Sequence, residues 1–306
     1  MSKRIAIIDL GTNTFHLLIA ALAQKSFTII HRDRLAVKIG KGGINHNRIT
    51  EDGMARAVSA MRSFKSTINS YGIDSIHAFG TSAFRNAINR QEVLAEIESE
   101  TGIKVQVISG EEEAQYIYYG VRWALNLGSE KVLIMDIGGG SVEFIIANHR
   151  EIFWKASMEM GAQRLLEKFQ NHDPIAKEEI AALDRYFGEQ LIDLKKALHL
   201  HTPDTLAGSS GTFDTLSDMY CAEQNIAIQT DASENPLTLE AFYKIYAELT
   251  AKNREERLAI AGMLEMRVDM IVVACCLIRY VLEIHSFTGI RVSGYALKEG
   301  VLATIR

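Results

Sequence analysis

One short segment of the chain is written twice. Asp9-Leu10-Gly11-Thr12-Asn13-Thr14, followed by residues 15–20, returns 127 positions later in weaker form as Asp136-Ile137-Gly138-Gly139-Gly140-Ser141, followed by residues 142–147. Each copy follows an apolar run, Ile5-Ala6-Ile7-Ile8 or Val132-Leu133-Ile134-Met135, whose length and branched residues predict a buried strand. Each then turns through glycine into a second apolar run. Such a hairpin can aim backbone amides at an anion, because glycine lets the chain come close to a phosphate. Two hairpins imply two facing half-sites. The aspartate ending each first strand cannot bind phosphate directly and is suited to hold a divalent cation or its waters, which then neutralise the phosphates. Together these features predict a phosphate-handling enzyme.

The repeat divides 306 residues into two parts, each large enough for its own core. No Pro-rich, Gly/Ser-rich or single-charge tract marks a linker, so the boundary is expected to be tight, near Asn126-Leu127-Gly128. It would separate domains 1–125 and 126–306. A formal charge of -5 gives no global attraction to nucleic acid or acidic lipid, so neither is expected as a partner. Cys221, Cys275 and Cys276 have neither disulfide nor zinc spacing, which fits a reducing, cytoplasmic setting. The first residues lead straight into a strand, leaving no room for a signal sequence. Residues 268–284 form the longest apolar segment, but Asp269 and Arg279 interrupt it, so it reads as a buried helix carrying two core cysteines and not as a membrane span.

Strands are expected near 4–9, 15–22, 26–37, 75–79 and 105–108, with helices near 51–70, 90–101 and 111–124. Thr50 and the acidic pair Glu51-Asp52 start the first helix, and Ala57, Val58, Met61, Phe64 and Ile68 keep its apolar period. The second part repeats the order with strands at 131–136, 142–147 and 151–157. Gly80-Thr81-Ser82 and Gly208-Ser209-Ser210, 128 positions apart, are matching small-residue loops leading into helices. A mainly helical C-terminal region follows, with a strand at 290–293 and a last helix from about Ala296. The expected fold is therefore α/β, made of duplicated domains facing a cleft.

Five motifs occur in one order: Asp9-x-Gly11-Thr12-Asn13-Thr14, Thr81-Ser82-Ala83-Phe84-Arg85-x-Ala87-x-Asn89, Ile108-Ser109-Gly110-Glu111-Glu112-Glu113-Ala114, Asp136-Ile137-Gly138-Gly139-Gly140-Ser141-x-Glu143 and Gly208-Ser209-Ser210-Gly211-Thr212. Their combination resembles the exopolyphosphatase/guanosine pentaphosphate phosphatase (Ppx/GppA) family over almost the whole chain, in a short form without extra C-terminal helical domains. The resemblance implies duplicated actin-like, sugar-kinase-like (ribonuclease H-like) domains. It also implies hydrolysis of the terminal phosphate of inorganic polyphosphate, or of guanosine pentaphosphate. It implies magnesium as cofactor, and leaves open whether potassium assists and whether a homodimer extends the channel for the substrate.

Position by position, the resemblance makes Glu113 the general base for water and has Glu143 orient that water or the metal. Asp136 would hold magnesium, with Asp9 as its counterpart. Asn13, Thr14, Gly138, Gly139 and Ser141, with Ser210 and Gly211 in the second small-residue loop, would line the phosphates. Arg85 would bind phosphate from the first domain. Val142 stands where threonine is usual, and Ala274 where glycine is common in the late Arg-x-Asp helix. Lys298 replaces an arginine, which removes a planar two-donor fork.

Each residue also has a plainer role to weigh. Ser109 and Glu112 have capping-box spacing and Glu111 in the first turn suits the helix dipole, so those two read as structural; Glu113, about 100° further round the helix, is the better base, although the sequence alone does not separate it from its neighbours. An aspartate after a strand often only fixes a turn, but two copies in matched contexts point to a role. Arg85 follows its small-residue loop closely enough to give a phosphate two donors. Lys38, Lys41 and Arg48 would either guide an anionic chain or form a solvated loop. His16 reads as a buried hydrogen-bonding residue outside the site. Two other functions remain open to the sequence: a small-molecule kinase of the same fold, and a non-catalytic actin-like nucleotide switch.

Overall fold

The computed structural model describes residues 3–23, 27–227 and 232–305. Strands β1 (Lys3–Leu10), β2 (Thr14–Leu22) and β3 (Phe27–Ala36) form an antiparallel meander. The expected start of the third strand at 26 lies outside the described residues. Helix α1 (Glu51–Tyr71), strand β4 (Ser75–Gly80), helices α2 (Ser82–Asn86) and α3 (Arg90–Thr101), strand β5 (Val105–Val107) and helix α4 (Gly110–Leu125) complete the first half. Its sheet has the order β3-β2-β1-β4-β5, with β4 parallel to β1 and to β5.

The second half repeats this plan. Strands β6 (Val132–Ile137), β7 (Val142–Ala147) and β8 (Ile152–Met158) form the meander, followed by helices α5 (Ala162–Phe169), α6 (Lys177–Gln190) and α7 (Ile192–His201). Strand β9 (Thr205–Ser209), helix α8 (Ser210–Gln224), strand β10 (Glu234–Asn235) and helices α9 (Leu239–Ala251), α10 (Arg254–Leu258) and α11 (Ile271–Ile284) come next. Strand β11 (Gly289–Ser293) and helix α12 (Leu297–Thr304) close the order. The sheet reads β10-β11-β9-β6-β7-β8, the first half's order with one short edge strand added. Even the β-bulge is duplicated, falling at Ile19/Ala20 and at Ile146/Ala147. This is a duplicated α/β architecture. The two-residue β10 is an addition the sequence pattern does not announce, and the helix expected after Gly80-Thr81-Ser82 is the single turn α2.

The central strands of both sheets are buried on both faces, which explains their continuous apolar runs. In β1, Ala6, Ile8 and Leu10 pack against α1 and α3, while Ile5 and Ile7 join a core shared with the second half. In β6, Leu133 and Met135 face the large C-terminal core, while Val132 and Ile134 turn to that same shared core. Thr50 Oγ1 accepts from Gly53 N at 3.1 Å, so α1 starts where its cap residue predicts. Cys275 and Cys276 are buried, free thiols in α11. Among the described residues, no helix is long and apolar enough to cross a membrane.

The shared core is built around α4 and α12, which lie between the sheets. α4 rests on β7 and β8, and α12 on β1. They cross at two glycines: a Cβ on Gly120 would collide with the Ala296 carbonyl, and one on Gly300 with the Tyr116 carbonyl. This close crossing ties the chain's last helix to its first half.

Candidate active site

The two hairpin turns meet face to face. A Cβ on Gly140 would lie 2.6 Å from Thr12 Oγ1, and one on Gly139 would collide with the Asn13 side chain, so glycine is what allows the turns to close on one another. Between them is a cavity whose wall includes Asp9, Asn13, Thr14, Glu113, Asp136, Gly138, Gly139, Ser141 and Ser210. The structure thus gathers most of the residues singled out from the sequence. Glu143 is buried next to them, its Oε1 accepting from Ser157 Oγ at 2.6 Å. Gly211 packs against the Arg267 guanidinium. Arg85 sits at the rim.

The register shows how the repeat aims its acids. Asp9 faces His16 across β1 and β2, and Asp136 faces Glu143 across β6 and β7. Across the parallel pair β6 and β9, Asp136 faces Ser209, whose Oγ donates to Asp136 Oδ2 at 2.6 Å. Ser210 adds a second hydroxyl to Asp136. It does so from a left-handed conformation, φ 72°, that a non-glycine residue rarely adopts.

The three consecutive glutamates divide as their helix positions require. Glu112 closes the capping box, accepting from Ser109 N at 2.8 Å while Ser109 Oγ accepts from Glu112 N at 3.2 Å. Glu111 points outward to Lys155 Nζ at 3.2 Å. Glu113 alone turns into the cavity, where Arg85 Nη1 donates to its Oε2 at 2.8 Å. Arg85 is further held by the Ile108 carbonyl at 3.3 Å and by Glu159 Oε1 at 2.9 Å from Nη2.

Burial dominates the electrostatics. It pushes the Glu113 carboxyl up to about 7 against the pull of Arg85, with Asp9 and Asp136 adding to the rise. Asp9 is likewise raised to about 7 by burial, opposed by Lys298. Burial lifts Asp136 despite its serine donors, and lifts Glu143 well above the usual carboxylate range, where Glu113 and Asp136 repel its charge. A buried group of acids held up in this way favours any cation that joins it.

The wall also contains residues that the sequence reading left out, namely Thr12, Arg267 and His16. Thr12 Oγ1, Asn13 Oδ1 and Arg267 Nε are buried without a hydrogen-bond partner, and all three residues line the cavity. Buried polar atoms are seldom left unpaired, so a wall with three of them is built to receive a polar ligand. Arg267 belongs to the Arg-x-Asp signal Arg267-Val268-Asp269, which could have been followed. His16, expected outside the site, lines the cavity as well; burial first, then Lys298 and Arg267, hold its imidazole well below its ordinary range. Asp214 behind the wall is raised to about 6 by burial.

A second cavity of about 330 Å³ between the halves is lined by Lys38, Lys41, His172, Arg254, Asp269 and Met270. Met270 on its wall touches the first cavity's Asn13, whose Nδ2 lies 2.6 Å from Met270 Sδ. Lys38 and Lys41 line this open groove, with Lys38 Nζ 3.6 Å from Asp269 Oδ2, whereas Arg48 is not on its wall. Among the described residues, no three His, Cys, Asp or Glu side chains converge as a protein-only metal cage.

Known proteins resemble this chain over nearly its whole length. The model of the Ppx/GppA phosphatase family matches residues 18–305. Exopolyphosphatase 1 of Mycobacterium tuberculosis is 25% identical over 301 residues, covering 98% of this chain and 87% of that protein. The crystal structure of an exopolyphosphatase from Cytophaga hutchinsonii superposes with a TM-score of 0.96 at 44% identity, covering 99% of this chain and 97% of that one. The Aquifex aeolicus member of the Ppx/GppA family superposes with a TM-score of 0.81 at 26% identity, over 100% and 98% of the two chains. The chain belongs to the Ppx/GppA phosphatase family.

Proposed function

We propose that this protein is an exopolyphosphatase: it removes the terminal phosphate of inorganic polyphosphate by attack of water deprotonated by Glu113. The observation that carries the reading is Glu113 itself. It is a carboxylate in the cavity wall, fixed by Arg85 at 2.8 Å and raised to about 7, where a base can be both ionised and effective near neutral pH. The relatives named exopolyphosphatase, in Mycobacterium tuberculosis and Cytophaga hutchinsonii, support the same substrate class.

In this reading the terminal phosphate lies between the two glycine turns, where backbone amides and the hydroxyls of Thr14 and Ser141 take its oxygens. Glu113 accepts the proton as the water oxygen bonds to phosphorus. The bridging P–O bond breaks, and the shortened chain leaves with the bridging oxygen. Glu143, pinned by Ser157, orients the water, and Arg85 positions Glu113. Magnesium fits the acids: Asp9 and Asp136 are two buried carboxylates with raised proton affinity, and this ion characteristically takes one or two carboxylates together with waters and substrate phosphates. When bound it neutralises charge on the phosphate oxygens. Lys38 and Lys41 on the adjoining groove supply positive charge for the rest of the chain.

The test is the initial rate of phosphate release, in magnesium, from long-chain polyphosphate, guanosine pentaphosphate and ATP. Release from polyphosphate without any organic acceptor is the expected result. Faster release from guanosine pentaphosphate would make that nucleotide the principal substrate. Turnover only with ATP and a small-molecule acceptor would replace hydrolysis by a kinase reaction.

A further inference from the structure

The rim of the cleft holds a carboxylate that the chemistry above does not use. Glu159 follows β8 in the second half and reaches across to α2 of the first. Its Oε1 accepts from Arg85 Nη2 at 2.9 Å and from Arg85 Nε at 3.2 Å. Its Oε2 accepts from Ser82 Oγ at 2.5 Å and from Arg164 Nη2 at 3.3 Å. Two guanidinium groups and a hydroxyl around one oxyanion form a donor set suited to phosphate, whose extra oxygens and charge such forks bind better than a carboxylate.

These donors do not depend on Glu159 for their positions. Arg164 is anchored by the Gly140 carbonyl at 2.9 Å and the Ile44 carbonyl at 2.7 Å. Arg85 is anchored by Glu113 and the Ile108 carbonyl. The Arg85 and Arg164 side chains are 17% and 11% exposed, whereas Glu159 is 37% exposed and has solvent into which to withdraw. Ser82 also lines the catalytic cavity, so this donor set adjoins the terminal-phosphate position.

We propose that Ser82, Arg85 and Arg164 form a second phosphate subsite in which Glu159 is a resident anion that the substrate must displace. Accordingly Glu159 is a specificity-determining residue. A substrate with a second phosphate beside the terminal one replaces the carboxylate and gains both guanidinium groups. A lone phosphate or a simple monoester has nothing to offer in exchange and meets a closed rim. The inference rests on the reading of the cleft as a polyphosphate site and adds how it selects condensed phosphates.

The experiment compares wild type with Glu159→Gln and Glu159→Ala. Steady-state kinetics on long-chain polyphosphate is one readout, and calorimetric binding of tripolyphosphate in metal-free buffer is the other. The expected result is a KM lowered about 5-fold with kcat little changed, and tripolyphosphate binding tightened by about the same factor, the size of one rim ion pair. A purely structural clasp gives the opposite sign, because loosening the rim would weaken binding. Unchanged or weaker binding in both variants overturns the proposal, as does failure of both to fold. If wild type releases no phosphate from polyphosphate, the functional reading fails, and the calorimetric comparison still decides the subsite: tighter binding in the variants supports it, equal binding rejects it.

Discussion

The two halves of the cleft share one backbone plan and carry opposite chemistry on it. In the first half Asp9 faces His16, and His16 faces Arg34. In the second, Asp136 faces Glu143, and Glu143 faces Ser157. One half thus sets its acid beside a neutral imidazole and a cation, while the other stacks two carboxylates and serves them with serine hydroxyls. The duplicated scaffold supplies symmetric positions, and the side chains give the two matched aspartates different electrostatic surroundings. Glu113 projects from α4, the helix between the sheets, and so belongs to neither copy of the hairpin.

The sharpest way to break this comparison is to neutralise matched positions. Glu143→Gln is expected to lower kcat roughly 100-fold, the scale of groups that orient a metal or a water, while His16→Asn lowers it by less than about tenfold. Steady-state phosphate release measures both, and equal losses would mean the halves are functionally symmetric. The joint between the halves comes next. Gly120→Ala pushes a methyl group into the Ala296 carbonyl and should cost ~3 kcal/mol of stability in denaturant titration, as overpacking does.

A smaller effect is the pH dependence. Glu113 acts as a base only when ionised, so kcat/KM should rise as pH increases through about 7 and then level. Stability moves the other way. Asp9 rises from an ordinary 3.8, and Glu113 from 4.5, to about 7 in the folded state. Folding is therefore favoured by the protonated forms; that contribution is complete below about pH 4 and is lost as pH rises through about 7. The smallest change expected is in the Glu143→Gln variant above pH 7, where removing a repelled buried charge should raise Tm by about 2 °C, seen by calorimetry.

What could be read from the chain follows the range of the interactions. The hairpins, their matched aspartates and the first helix were legible because strand, glycine turn and cap are all local. Capping spacing assigns Glu111 and Glu112 elsewhere, but the sequence alone does not separate Glu113 from them; the family resemblance singles it out, and the fold is what turns it into the cavity. His16 escaped because nothing in its local sequence says which wall it lines, and Arg267 because the Arg-x-Asp signal around it does not by itself say what the arginine faces. Glu159 escaped for a similar reason: its partners Ser82 and Arg85 lie 77 and 74 residues away and are brought to it only when the halves close. The placement of α12 between the sheets is equally non-local, since it depends on two glycines, Gly120 and Gly300, meeting across the fold.

The central claim is that Glu113 deprotonates the attacking water. The most direct measurement is single-turnover phosphate release from long-chain polyphosphate by wild type and by Glu113→Gln, with polyphosphate affinity measured on the same samples. The account predicts a rate lowered by about 10²–10⁴-fold with affinity nearly unchanged, because the amide keeps the shape and cannot take the proton. A rate close to wild type would contradict it and remove Glu113 from the chemistry.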